Sequence, residues 1–229
     1  MYSTEIETTL IKRLFDHDNV THLEDNSFDA TNRITKERLI QELQKPYNIF
    51  HFNGHGSYNH ETPRHSCLFL SDSDTLTTED IVTQLKLQSY KLVTLAACET
   101  AVTGEETITT EYVGLVSGLL YVGVETIVST LWTVESFVTT LFIVQFYENL
   151  QQYPPHIALK QTQNWLKTLS KTALLDWLND KQKELDGILN ILLEQEKIRI
   201  QKIEEEYPYQ NPYYWSAFII SGNRVKIQV

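Results

Sequence analysis

Residues 48–56 read Asn48-Ile49-Phe50-His51-Phe52-Asn53-Gly54-His55-Gly56, a short apolar run that ends at a histidine. A second run, Leu92-Val93-Thr94-Leu95-Ala96-Ala97-Cys98-Glu99-Thr100, ends at a cysteine. Runs of this length and composition are typical of strands buried in a sheet. In open parallel α/β sheets, sites form outside the carboxyl ends of the strands. We therefore expect His55 and Cys98 to lie close together although the sequence separates them.

The segments around these two runs alternate between helical and strand patterns, which predicts an α/β protein with a mostly parallel sheet and helices on its faces. Helices are predicted over 4–15, 35–43, 111–121, 136–150 and 155–169, with a further helix beginning at 77–80. Besides the two runs above, strands are predicted over 20–23, 67–70, 126–132 and 215–222. Residues 57–75 are expected to form a polar loop or hairpin. Residues 101–110, with little apolar pattern, are predicted to form a mobile loop.

Residues 171–206 depart from this alternation. Leucines recur at seven-residue spacing at Leu178, Leu185 and Leu192, which predicts a long amphipathic helix or a helical pair broken near Gly187. Two interpretations are open: the apolar stripe packs on its own domain, or it forms a docking arm for a partner helix.

Composition favours a folded, soluble protein. The chain has 229 residues, of which 41% are hydrophobic and 21% charged. The net charge of −11 argues against direct nucleic-acid binding, which needs a basic face. Two cysteines do not make a disulfide scaffold, and a free thiol suits a reduced, cytoplasmic setting. No apolar run is long enough for a membrane span, and the N-terminus lacks a signal-peptide pattern.

Cys98 and His55 fit nucleophilic catalysis. The thiolate is the reactive form of cysteine, and a neighbouring imidazole can take the thiol proton. Acyl transfer also needs N–H donors for the oxyanion, and the backbone N–H groups of Gly56 and Cys98 are the candidates. In the predicted mechanism Cys98 attacks a peptide carbonyl, His55 protonates the leaving amine, and water resolves the thioester. No third side chain is evident that would orient His55; a backbone carbonyl could do so.

Other interpretations of these residues are structural or metal-binding. A buried cysteine at a strand end is often an inert small hydrophobe, and a histidine beside glycine is often a turn residue. His55, His60, His65 and Cys67 lie close in sequence, but their spacing matches no strong zinc motif. No phosphate-binding glycine loop and no glycine-flanked serine elbow is present. We therefore predict neither a metal nor a cofactor.

The sequence segments around these two residues resemble the CHAT domain family, which belongs to the same clan as caspases, separases and gingipains. The matching segments are 51–56, 76–81, 95–100, 111–115, 119–124, 129–135 and 211–218. The histidine also precedes the cysteine, as in caspases. The resemblance implies a three-layer caspase-hemoglobinase-like fold with helices on both faces of the sheet. It also implies a cysteine endopeptidase whose dyad falls on His55 and Cys98.

The sequence departs from the family pattern in three respects. Ala96 stands where the family more often has serine, and Thr133 and Glu135 replace the usual proline and aspartate after the tryptophan. The family usually carries a first strand before the first helix, and often a helical-repeat region before that. We expect both to be missing here, and the chain to be the C-terminal peptidase part, 1–229, of a larger protein.

The resemblance also suggests where substrate would bind. In this clan the pocket lies beside the nucleophile strand and the next strand, so Trp132 and Glu135 are candidates for its wall. Asp29 lies where the family often has an acid near the site. An acidic pocket would favour a basic residue before the cut, although Asp29 and Glu135 could equally be helix caps or surface acids.

Two functions other than proteolysis are also compatible with this sequence. The fold could be a catalytically silent interaction module, or a different thiol hydrolase such as an amidotransferase, which ranks last because glycine does not flank Cys98. A protease would act on a protein substrate and be switched by a regulatory protein or an N-terminal helical-repeat region. Some CHAT proteins with such repeats are prokaryotic defence effectors activated by an RNA-guided complex, so this is one role that the resemblance suggests.

Overall fold

The computed structural model describes residues 2–24, 33–59, 61–97 and 113–223, and these form two compact units. Within the described residues, the helical unit comprises 2–20 and 134–217, and the sheet unit comprises 21–133 and 218–223. The prediction of one peptidase domain over 1–229 stays a prediction.

The sheet unit contains all the described strands and three α-helices. The strands are β1 (Ile49–Gly54), β2 (Gly56–Ser57), β3 (Cys67–Phe69), β4 (Thr75–Thr77), β5 (Leu92–Ala97), β6 (Thr126–Thr130) and β7 (Phe218–Gly222). The helices of this unit are α2 (Lys36–Leu43), α3 (Thr78–Gln84) and α4 (Val113–Tyr121). The main sheet has the order β1-β5-β6-β7, with β1, β5 and β6 parallel and β7 antiparallel to β6. The predicted mostly parallel sheet is confirmed.

The central strand β5 of the main sheet is buried on both faces. On one face, Val93 and Leu95 belong to a core shared with α2, α3 and α4. On the other face, Leu92, Thr94 and Ala96 are at most 2% exposed. Strands covered on both sides read as continuous apolar runs, which is the pattern that identified β5 in the sequence. The chain is thus α/β, as a three-layer caspase-like fold requires.

A second, smaller sheet joins β2, β3 and β4 in antiparallel order directly after β1. The strand predicted at 67–70 is confirmed as β3, whereas β4 was not predicted. Polar side chains of this sheet and of the residues beside it form hydrogen bonds at the starts of two helices. The Thr77 side chain accepts from the Asp80 N–H, and the Asp80 side chain accepts from the Thr77 N–H, which makes a capping box that starts α3. The Asp74 side chain accepts from the Lys36 N–H (2.7 Å) at the start of α2.

Glycine allows α4 to approach the loop before β3. A Cβ added at Gly114 would lie 2.8 Å from the Pro63 carbonyl oxygen and 3.1 Å from Ser66 Oγ. A larger residue at Gly114 would therefore push against backbone. The first turn of α4 is held against the segment that connects β2 to β3.

The helical unit is built around one buried helix. Its helices are α1 (Tyr2–Lys12), α5 (Ser136–Leu150), α6 (Pro155–Thr168), α7 (Lys171–Gln182), α8 (Gly187–Gln201) and α9 (Pro212–Trp215). Most of α5 is buried, and α1 packs against it through Ile6 and Leu10, each 2% exposed. The Thr140 hydroxyl bonds the buried Glu7 carboxylate (3.2 Å). These helices confirm the predictions over 136–150 and 155–169, and α1 confirms the helix predicted over 4–15 except that it ends at Lys12.

The segment 171–206 is a helical pair, as predicted, and its second helix starts at Gly187, where φ is +55°. Five apolar side chains of the pair are buried: Leu174, Leu178, Leu185, Leu193 and Ile200. The Lys197 ammonium links the two helices by donating to Gln182 Oε1 (2.8 Å). Packing within the helical unit accounts for this stripe. Ile188 (61%) and Ile191 (58%) are exposed on α8, and the docking interpretation stays a prediction.

One strand prediction is wrong, and a second starts too early in the sequence. Residues 20–23 form no strand; the Thr21 hydroxyl instead bonds the Tyr47 hydroxyl (2.6 Å), and β-branched residues alone do not supply a ladder partner. The last strand begins at Phe218, because Trp215 belongs to α9. That helix starts with an Asn211 cap and a proline at its first position, both strong helix-start signals. Among the described helices, none is long and apolar enough to cross a bilayer.

Candidate active site

The carboxyl ends of β1 and β5 lie side by side. The two strands pair in parallel register from Ile49 with Leu92 to Gly54 with Ala97. His55 is the next residue after Gly54, and Cys98 is the next residue in sequence after Ala97. Cys98 and the predicted loop 101–110 lie outside the described residues. The last registered pair thus immediately precedes the two residues that the sequence singled out.

His55 connects β1 of the main sheet to β2 of the small sheet. Its side chain is exposed, and its carbonyl oxygen accepts a hydrogen bond from the Phe69 N–H (2.8 Å). The strand before it ends at Gly54, where the Phe52 ring occupies the space that a side chain would take: a Cβ there would lie 2.8 Å from Cζ of Phe52. The main sheet and the small sheet therefore both position the backbone of His55.

The ladder of the small sheet sets the direction of the Gly56 amide. Gly56 pairs with Leu68, and Ser57 pairs with Cys67. In an antiparallel ladder, hydrogen-bonded and non-hydrogen-bonded pairs alternate. The bond from Phe69 to His55 makes Gly56 and Leu68 a non-hydrogen-bonded pair. The N–H of Gly56 is therefore directed away from β3.

Cys67 is a structural thiol. It is 8% exposed and lies in β3, between Ser57 and Thr77 on the neighbouring strands. Burial raises the pKa of the Cys67 thiol. This effect is larger than the opposite effect of a hydrogen bond from the Ser57 backbone, which lowers the pKa. A thiol with a raised pKa is a poor nucleophile at neutral pH. His65 is exposed and His60 lies outside the described residues. In the described part of the chain, no group of three histidine, cysteine or acidic side chains could hold a metal ion.

The three candidate pocket residues have different surroundings. Trp132 follows β6 in the sheet unit and is half-buried. Glu135 belongs to the helical unit, where its carboxylate pairs with the Arg199 guanidinium (2.7 Å). It occupies the position before α5 but makes no capping hydrogen bond. Asp29 lies outside the described residues. The charge of Glu135 is therefore balanced within the helical unit.

The pair of Glu135 and Arg199 borders a buried phenol. Tyr209 is 3% exposed, and its hydroxyl oxygen has no hydrogen-bond partner among the described residues. Burial raises the pKa of Tyr209, and the negative charge of Glu135 acts in the same direction. The phenol is thus neutral at all physiological pH values. The Arg199 guanidinium also lies 5.8 Å from the centre of the Phe137 ring.

Comparison with known families agrees with this architecture. A model of the CHAT domain family matches residues 1–223, which is nearly the whole chain and spans both units. The chain belongs to the CHAT domain family, a family of caspase-like peptidases. No curated protein matches the chain.

Proposed function

We propose that this chain is a cysteine endopeptidase that cleaves protein substrates, with Cys98 as nucleophile and His55 as general acid and base. One observation carries the proposal: the paired ends of β1 and β5, Gly54 and Ala97, immediately precede the two residues. Parallel strands lie about 4.8 Å apart, so residues that follow a registered pair start within reach of each other. Membership of a peptidase family supports the same assignment.

The reaction uses this pair in two stages. The Cys98 thiolate attacks the carbonyl carbon of a peptide, and the C–N bond breaks as the imidazolium of His55 gives its proton to the leaving nitrogen. Water then attacks the thioester while His55 takes a proton from it, and the C–S bond breaks to release the carboxylate and the thiolate. The proton that His55 gives in the first stage is thereby restored in the second.

Gly56 is the donor that we assign to the oxyanion, together with the N–H of Cys98. The direction of the Gly56 amide, away from β3, supports this role because the small sheet does not use that donor. A donor held by a strand needs no reorganisation when negative charge develops on the substrate oxygen.

Alkylation with iodoacetamide tests the dyad without knowledge of the substrate. We expect a single rapid adduct on the native chain at pH 6.5, which Cys98→Ala removes and Cys67→Ala leaves in place, because Cys67 is buried with a raised pKa. His55→Ala should slow the reaction roughly tenfold or more at this pH, since an isolated thiol has a pKa of about 8.5. Equal rates with and without His55 would indicate a silent interaction module instead.

Proteolysis requires a second measurement. Reduced, denatured casein supplies many peptide bonds in extended form, and its digestion is followed by mass spectrometry of the products. We expect internal cleavage by the native chain and none by Cys98→Ala or His55→Ala. A folded native chain that is alkylated at Cys98 but leaves casein intact would contradict the endopeptidase assignment.

Trp132, Glu135 and Asp29 remain our proposed pocket residues. The resemblance to a clan whose pockets lie beside these strands supports this choice. Because Glu135 is paired with Arg199, it would need to exchange this partner to bind a basic substrate side chain. Arg199→Ala should therefore raise the preference for lysine or arginine before the cut if Glu135 lines the pocket.

The proposed chemistry has consequences for the compartment and for the regulation of the protein. A catalytic thiol has to stay reduced, which favours the cytoplasm. We propose that a regulatory protein or an N-terminal helical-repeat region controls the activity, with prokaryotic defence through an RNA-guided complex as one such role. Resemblance to CHAT proteins that combine these parts supports this proposal.

A further inference from the structure

An aromatic side chain lies exposed beside His55. Phe69 ends β3 and is 45% exposed, whereas its strand neighbours Cys67 (8%) and Leu68 (1%) are buried. The sequence pattern predicts for Phe69 only a place in a short strand. Its exposure is the first indication that this residue serves something other than the core.

The register places Phe69 opposite His55. Gly56 pairs with Leu68, so one further step along the antiparallel ladder brings His55 against Phe69, and the hydrogen bond from the Phe69 N–H to the His55 carbonyl (2.8 Å) lies at this step. Directly opposite residues in an antiparallel ladder project their side chains from the same face, about 5 Å apart at Cβ. Both side chains are exposed, in agreement with a shared outer face.

The position of Phe69 is held from both sides. It bonds the His55 backbone on one side and pairs with Thr75 of β4 on the other. Leu68, fully buried in the core, anchors the strand immediately before it. An aromatic ring on such a fixed strand offers apolar surface at little further cost in conformational entropy when it binds a ligand.

Catalysis determines which part of a substrate would meet this ring. The general acid has to reach the nitrogen of the leaving amine, so the substrate residues after the cut lie on the side of His55. The residues before the cut stay attached to Cys98 as the thioester. Phe69 is paired with His55, and hence it borders the leaving-group side.

We infer that Phe69 forms the apolar wall of a subsite for the substrate residue that follows the cleaved bond, and that this subsite favours an aliphatic or aromatic side chain there. The inference rests on the proposed function, because it takes His55 as the general acid. Phe69 is in this assignment a specificity-determining residue that touches substrate.

The experiment identifies the new N-termini that form when the chain digests reduced, denatured casein. Each cut reports the residue after the broken bond by mass spectrometry. The native chain should enrich apolar residues at this position, and Phe69→Ala should lower kcat/KM at such sites about tenfold, with polar sites little changed. Phe69→Lys should shift the preference towards acidic residues. Tyr121→Ala, which removes another exposed aromatic (77%) of the sheet unit, should leave the profile unchanged.

The outcomes separate this inference from the function on which it rests. Iodoacetamide carries no peptide leaving group, so its rate with Cys98 should be the same in the native chain and in Phe69→Ala. Casein cleavage with an identical profile in all Phe69 variants would overturn the subsite and leave the peptidase standing. A native chain that neither reacts with iodoacetamide at Cys98 nor cleaves casein would overturn both.

Discussion

The main sheet and the small sheet of the sheet unit are built differently. Strand β5 of the main sheet is buried on both faces, so Leu95 and Thr94 both pack inside the protein. In the small sheet, Leu68 and Leu76 are buried on one face, whereas the other face carries both the buried Cys67 and the exposed Phe69. Substitutions in β5 should therefore act on folding. Outward residues of the small sheet can change binding at little cost in stability.

The largest effect on stability should come from Leu95→Ala. Leu95 is 1% exposed in the core that joins β5 to α2, α3 and α4. Removal of a buried leucine side chain lowers the free energy of unfolding by about 2–5 kcal/mol, through lost apolar transfer and the cavity left behind. Urea denaturation followed by circular dichroism measures this loss. A loss below about 1 kcal/mol would contradict tight packing of α2, α3 and α4 against this face of β5.

Gly114→Ala should have the next largest effect. The added Cβ would lie 2.8 Å from a backbone oxygen, that of Pro63, which cannot move aside as a flexible side chain can. Crowding of this kind typically costs about 1–3 kcal/mol. Alanine is normally the better helix former, so a destabilised Gly114→Ala variant would separate crowding from helix propensity. Ser117→Ala is the control, because Ser117 is an exposed position of the same helix.

Asp80→Asn should reveal the electrostatic support of the small sheet. Burial opposes the charged carboxylate, but hydrogen bonds from Thr77 and the Lys36 ammonium (3.1 Å) outweigh it and lower the pKa of Asp80. A lowered pKa stabilises the folded state above the unfolded value of about 3.9, and this stabilisation is lost as the pH falls through the folded pKa. At pH 7 we expect the variant to be less stable by about 1 kcal/mol.

Denaturation at two pH values tests the sign of this effect. The difference in unfolding free energy between the native chain and Asp80→Asn should be clear at pH 7 and shrink below about pH 4, where the unfolded carboxylate takes up its proton, until the folded carboxylate is protonated at still lower pH. A difference that stays constant with pH would mean that the charge of Asp80 contributes nothing, and that the amide loses only hydrogen-bond geometry.

These contrasts explain what the sequence could predict. Buried strands and capped helices have local signatures: apolar runs revealed β1 and β5, and the Thr77-to-Asp80 pattern revealed the start of α3. Strand ends in a parallel sheet then pointed to His55 and Cys98. The small sheet could not be predicted in full from the sequence. Its strands β2 and β4 have only two and three residues, and they depend on pairing with β3 rather than on a sequence pattern of their own.

The pocket residues show a different limit. Glu135 and Arg199 are far apart in sequence and meet only through tertiary packing, so no spacing rule could predict that the charge of Glu135 is balanced. The same holds for Phe69, which looks like any apolar strand residue until the register with His55 is known. Local patterns predict elements, whereas the surroundings of a side chain depend on contacts between distant elements.

The smallest effect on stability should come from Phe69→Ala, set against its neighbour Leu68→Ala. Leu68 is fully buried, so its truncation should cost about 2–5 kcal/mol, whereas exposed positions usually change stability by less than about 0.5 kcal/mol. Both residues lie on the same strand with the same backbone pairing, so the difference mainly reports burial. A Phe69→Ala variant that unfolds as readily as Leu68→Ala would place the ring in the core and remove it from any substrate. Near-native stability would agree with a ring that does not belong to the core and can contact substrate.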